Sequence, residues 1–290
     1  MVKPELPPRA ATPGTGPAAP DRSPAAPERS PAAPERGPAA PERGPAAPGP
    51  GPTTGPAAAA PLAAVAEPHP GAVSYRQARF RPPPGATELL LIRHGESAAA
   101  FMEEPFPLVD GHADPELSPD GHEQAERLAD RLAKTEIDAI YVTTLRRTGQ
   151  TAGPLAQRLG LTPRVERGLR EVFLGEWEAG LFRKMVAENH PVAERMWAEE
   201  RWDVIPGAEL ASAFADRVGD AIRRIAAAHP DQRVAVIVHG GVIAQVLALA
   251  TGSRPFAFLG ADNASISRLV VSSQRWVLRG YNDVAHLEAD

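Results

Sequence analysis

Four short stretches of the sequence carry side chains suited to moving a phosphoryl group: Arg93-His94-Gly95, Arg146-Arg147, Arg170-Glu171 and His239-Gly240-Gly241. That chemistry needs cations on the non-bridging oxygens, a nucleophile in line with the leaving oxygen, and an acid to protonate that oxygen. Arg93 and Arg147 could grip phosphate bidentately. A neutral imidazole is a competent nucleophile near physiological pH, so His94 or His239 could attack. Gly95 and Gly240, each beside a histidine, leave room for close substrate approach. Glu171, if held protonated, could supply the proton. Taken singly, each element has a plainer reading. A histidine at a strand end is usually structural, tandem arginines often open a solvated helix, and Glu171 could pair with Arg170. The case for chemistry rests on their converging.

The elements that must position them follow from hydropathy. Glu88–Ile92 is a short apolar run after a Pro/Gly stretch, the pattern of a strand buried on both faces. Ser118-Pro119-Asp120 reads as a helix start, with a capping Ser, Pro first and Asp at the positive dipole end. Ala125, Leu128, Ala129, Leu132 and Ala133 follow at helical spacing. Ala139–Val142 is a second strand. Ala152, Leu155, Ala156 and Leu159 mark a helix that Gly160 stops. Phe214, Val218, Ala221, Ile222 and Ile225 mark another. Val234–Val238 is the strongest strand pattern and runs through His239 into a helix to about residue 249. Ile266–Val271 and Trp276–Tyr281 read as closing strands. Alternating strands and helices predict an α/β fold, three layers α/β/α around a mostly parallel sheet. Ligands collect beyond the carboxyl ends of such strands, where His94, Arg147 and His239 fall.

Composition sets the domain plan. Of 33 prolines, 20 precede Ala72, and PAAPER recurs from Pro24 to Pro48 with Ser or Gly between copies. Such a stretch buries no core. Residues 1–84 are therefore expected to be a disordered Pro/Ala-rich arm and linker, and residues 85–290 the catalytic domain. Up to Pro70 the arm balances its charges, so the net −5 belongs to the rest of the chain. That disfavours a nucleic-acid partner. With no cysteine, thiol catalysis and thiolate metal sites are excluded. No apolar run approaches membrane-spanning length and no signal core opens the chain, so a cytoplasmic location is expected.

Longer motifs add to this reading. LIRHGES (Leu91–Ser97) resembles the signature of the histidine phosphatase superfamily, the phosphoglycerate-mutase-like enzymes. In order, LSPDGHEQA (Leu117–Ala125), VTTLRRTGQTA (Val142–Ala152), LREVFLGEWEA (Leu169–Ala179), VIVHGGVI (Val236–Ile243) and DNASIS (Asp262–Ser267) resemble its later motifs. The resemblance implies that His94 is the phosphorylated nucleophile and Glu171 the general acid. It also implies that Arg93, Arg147 and His239 hold the phosphoryl group, with Arg146 a neighbouring cation. No cofactor and no metal are expected. Three departures stand out. The Trp-Asn that mutases carry after RHGES is absent from AAAFMEEPFPLVDG. Ala179 replaces Gly after Trp-Glu. Leu210 stands where many relatives have Ser, which removes a helix cap or rim contact.

The first departure points to the phosphatase branch: a phosphomonoesterase acting on a small organic phosphate through a phosphohistidine on His94. Alternatives are a phosphoglycerate-type mutase, and a non-catalytic phosphate-binding scaffold whose repeats present polyproline surfaces to a partner. A metal site built from His94, His239 and Glu171 lacks the usual ligand patterns. The aromatics Phe101, Phe106, Phe173, Trp177, Phe182, Trp197 and Trp202 are expected either to form an apolar rim or to be core.

Overall fold

Strand Thr87–Arg93 (β1) is buried along nearly its whole length, and its alternating side chains go to two different cores. Leu89 and Leu91 pack on one face with Val234, Val236 and Phe214. Leu90 and Ile92 pack on the other with Leu128, Leu155 and Ile237. A strand with both faces covered must be apolar throughout, as this one is. The computed structural model describes Tyr75 and residues 77–288. For most of its length the expected arm lies outside them. Residues 77–84 are irregular and exposed. There Phe80 lies against the Arg279 guanidinium, 4.0 Å from the ring centroid.

After β1, a two-residue hairpin (β2, Leu108–Val109; β3, His112–Ala113) precedes helix α1 (Pro119–Leu132). Then come β4 (Ala139–Val142), α2 (Arg146–Leu159), β5 (Arg164–Val165), and the short helices α3 (Leu181–Ala187) and α4 (Pro191–Glu199). The chain closes with α5 (Ala211–Ala228), β6 (Arg233–Val238), α6 (Gly240–Thr251), β7 (Ile266–Val271) and β8 (Trp276–Asp283). The sheet order is β5-β4-β6-β1-β7-β8. β1, β4, β5 and β6 run parallel, and β7 is antiparallel to both neighbours. Helices cover both faces, which gives the expected three-layer α/β/α arrangement with a mostly parallel sheet.

Local signals act as the sequence predicts. Ser118 Oγ accepts from Gly121 N at 3.0 Å and starts α1. Gly160, at φ 66°, ends α2 in the left-handed conformation. Leu210 gives α5 no side-chain cap, but Asp203 Oδ2 accepts from Ala211 N at 3.2 Å and supplies one from the preceding turn. Ala179 sits at φ 57°, where glycine would be unstrained. No described helix is long and apolar enough to cross a membrane.

Candidate active site

Because β1, β4 and β6 are parallel, their carboxyl ends open on one edge. There a cleft of about 570 Å³ is lined by Arg93, His94, Arg147 and Glu171. The backbone under His94 is fixed on two sides. His94 N donates to Val238 O at 2.9 Å, and Asn263 Nδ2 donates to His94 O at 2.9 Å. The ring is fixed as well. Nδ1 lies 2.7 Å from Gly95 O, and a carbonyl only accepts, so the proton sits on Nδ1. Nε2 then carries the lone pair and faces Arg147 Nε at 3.2 Å. Burial first, then the charges of Arg147 and Arg93, hold His94 well below the ordinary histidine pKa. The imidazole is neutral at physiological pH.

Gly95 has a packing reason for lacking a side chain. A Cβ there would meet Gly121 O at 2.5 Å, and its N–H is already given to Thr151 Oγ1 at 3.0 Å. It lets the start of α1 press against the turn that carries His94. This role differs from the substrate approach the sequence suggests. Gly240 starts α6, and a Cβ on it would come 3.5 Å from Arg93 Nε.

The tandem arginines separate. Arg146 gives both its backbone N–H (2.7 Å) and its Nε (2.9 Å) to the buried Asp114 carboxylate. Arg147 turns inward, is 7 % exposed, and anchors Nη1 on Ala113 O at 2.9 Å. Burial brings its pKa down to about 10, against the opposing pull of Glu171 and Asp114. It remains cationic at neutral pH. Arg93 holds Ala261 O at 2.6 Å through Nη1, while its buried Nε has no partner among the described residues.

Glu171 does not pair with Arg170, which bonds Asp110 at 2.8 Å instead. Its carboxylate accepts from Val172 N (3.0 Å) and from Gly241 N (3.1 Å) at the start of α6. Gly241 makes this possible, since a Cβ there would lie 2.5 Å from Glu171 Oε1. His239 is wholly buried, with its ring centroid 5.2 Å from that of His94. Its Nε2 meets Thr143 Oγ1 at 3.1 Å, and its Nδ1 has no partner among the described residues. Burial, followed by the charge of Arg147, keeps it well below the ordinary histidine pKa.

Sequence reasoning missed several contributors. Arg217 of α5 donates to Glu171 O (2.9 Å), Arg170 O (2.8 Å) and the Glu209 carboxylate, so it fixes the segment carrying Glu171. Thr143 and Thr148 tie β4 to α2 beneath His239. Arg183 and His112 line the cleft. Thr143 and Thr148 lie within the VTTLRRTGQTA motif without an expected role, and Arg217, Arg183 and His112 had no motif signal beyond being polar. Phe106, Trp177, Phe182 and Trp202 line the cleft, whereas Phe101, Phe173 and Trp197 do not. Trp177 and Trp202 are nearly buried, so the aromatic segment is both core and wall. Among the described residues, no three His, Asp or Glu side chains are grouped to hold a metal ion.

The geometry can be set beside known proteins. The chain is 33% identical over 206 residues to phosphoglycerate mutase-like protein 4 of Arabidopsis thaliana, covering 69% of this chain and 87% of that protein. It is 32% identical over 208 residues to the metal-independent phosphoserine phosphatase of the same plant, covering 70% and 84%. The native structure of a mycobacterial glucosyl-3-phosphoglycerate phosphatase superposes with a TM-score of 0.57 at 28% identity, over 68% of this chain and 99% of that one. The sequence profile of the histidine phosphatase superfamily (branch 1) matches residues 89–284. With the ordered motifs and the α/β/α sheet, that match makes the chain a member of the histidine phosphatase superfamily, branch 1.

Proposed function

We propose that the protein is a metal-independent phosphomonoesterase that hydrolyses a small organic phosphate through a phosphohistidine on His94. One observation carries the reading: the Nδ1 to Gly95 O hydrogen bond leaves the lone pair on Nε2 at the floor of a cleft where the guanidinium groups of Arg93 and Arg147 also lie. The substrate phosphoryl group takes up the N–H donors of Arg93 and Arg147, which draws Arg147 Nε away from the nucleophile. His94 Nε2 attacks phosphorus as the bond to the leaving oxygen breaks, and Glu171 gives that oxygen its proton. Glu171, now ionised, takes a proton from water as the water attacks phosphorus and the P–N bond breaks. Inorganic phosphate leaves and Glu171 is again protonated. His239, neutral and without a partner at Nδ1 among the described residues, stabilises the transferring oxygens as a hydrogen-bond donor.

Names of relatives support hydrolysis of small phosphates, and others carry a mutase label. Hydrolysis is favoured here because Ala98-Ala99-Ala100 occupies the stretch where mutases carry Trp-Asn. The test is to assay p-nitrophenyl phosphate with a chelator present, beside interconversion of the two phosphoglycerates. Hydrolysis without interconversion is expected. Efficient interconversion would establish the mutase instead. The same reading carries a cytoplasmic location. It also leaves the repeats within residues 1–84 free to present polyproline surfaces to a partner, which their composition supports.

A further inference from the structure

The cleft contains a third guanidinium that the chemistry above does not use. Arg183, on α3, lines it beside Arg93 and Arg147. Its Nη1 donates to Ala98 O at 2.7 Å and its Nη2 to Ser97 Oγ at 2.7 Å. The Phe106 ring lies under it, 5.4 Å from Cζ. All three partners are neutral. Arg183 forms no ion pair with a carboxylate among the described residues, although Glu96 is near enough for its charge to be felt. It is thus a cation held in one orientation, with N–H donors to spare and no counterion.

Depth tells which part of a substrate Arg183 would meet. His94 and Arg147 are each 7 % exposed, so the phosphoryl group binds at the cleft floor. Arg183 is exposed, at the mouth. Displacement at phosphorus is in line, with the leaving oxygen opposite the attacking atom. Since His94 attacks from the floor, the leaving group must point toward the mouth. We infer that Arg183 is a specificity-determining residue that binds an anionic group, a carboxylate, on the leaving group, so that the substrate is a small phosphomonoester carrying a second anionic group besides the phosphoryl. Ala99 lines the cleft beside Arg183 with a small side chain, and the Ala98 carbonyl orients the guanidinium. The inference rests on the phosphatase reading of the same cleft.

The test compares two esters that differ at one group, 3-phosphoglycerate with its carboxylate and glycerol 1-phosphate with a hydroxymethyl in its place. p-Nitrophenyl phosphate reports the chemistry itself. The full-length wild type should favour the carboxylate in kcat/KM by roughly 10- to 100-fold, the range of one charge-assisted contact. Arg183→Gln should bring that ratio close to one, mostly through KM, because the contact exists before the transition state. Arg183→Lys should keep part of the preference, since the charge remains. Circular dichroism and the melting temperature of both variants check that α3 stays folded. A wild type that hydrolyses all three esters without preferring the carboxylate overturns the inference and leaves the phosphatase reading standing. An Arg183→Gln variant that loses equally on all three esters overturns it in the same way. If the wild type hydrolyses none of them, the phosphatase reading fails and the inference with it.

Discussion

Arg147 Nε points at His94 Nε2 across 3.2 Å, so the cation that is to hold the phosphoryl group rests on the nucleophile's lone pair. Arg147 therefore does two things. It suppresses protonation of His94 through its charge, and in the proposed mechanism it turns onto the substrate's phosphoryl group.

Removing that charge should shift the pH profile. His94 attacks only when neutral, and its pKa is depressed, so the acid limb of kcat/KM lies below the ordinary histidine range near 6.5. In Arg147→Gln the depression by Arg147 is gone and the limb moves to higher pH. The rate should also fall by about 10²–10³-fold, the size of one lost electrostatic donor. Profiles corrected for the substrate's own ionisation check this. A limb that stays put would mean that His94 does not set it.

Glu171→Gln should separate leaving groups. Alkyl phosphates need a proton on the departing oxygen, while p-nitrophenolate leaves without one. The loss should be much larger on an alkyl ester than on the aryl ester. Gln also offers an N–H where the carboxylate accepts from Val172 N or Gly241 N, so some loss on both is expected. Equal loss on both would remove Glu171 from the acid role.

Most of the scaffold was legible in the sequence, because the strands that carry the site are buried on both faces and read as unbroken apolar runs. Ser118 and Gly160 marked helix ends for local reasons of capping and positive φ. β5 was not legible: Arg164-Val165 has two exposed residues and no apolar pattern. Neither was α3, which has no buried residue in its seven. Among site residues, those in strand-end motifs could be named in advance. Arg183 and Arg217 could not, because neither lies in one of the sequence motifs, and Asn263 reads only as part of DNASIS, with no role of its own. Arg146 and Arg147 differ only in which side of α2 they occupy, and Asp114 holds one of them outside.

Ala179→Gly should stabilise the fold. A non-glycine residue at φ 57° carries left-handed strain of about 1 kcal/mol, partly offset by the added freedom of unfolded glycine. A rise in Tm of roughly 1–4 °C is expected for a domain of this size. An unchanged or lower Tm would show that the turn between Trp177 and α3 relieves the strain elsewhere.

Acid should destabilise the domain through its buried histidines. His94 and His239 have folded pKa values well below the unfolded value near 6.5. Below that pH the unfolded chain binds protons that the folded one does not. The stability they confer is full above about pH 6.5 and is lost as pH falls toward the folded values, by up to about 1.4 kcal/mol per pH unit for each. Unfolding curves between pH 7 and 5 should show this slope, and His94→Gln with His239→Gln should reduce it. A slope equal in wild type and double variant would contradict the neutral pair.

The most direct test of the mechanism is to trap the phosphoenzyme. Rapid quench with labelled phosphomonoester should place an acid-labile, alkali-stable label on His94. His94→Ala should lose the label and turnover while still binding vanadate through Arg93 and Arg147. His239→Ala should still form the label, more slowly. A label that maps to His239, or that persists in His94→Ala, would contradict the assignment of His94 as nucleophile.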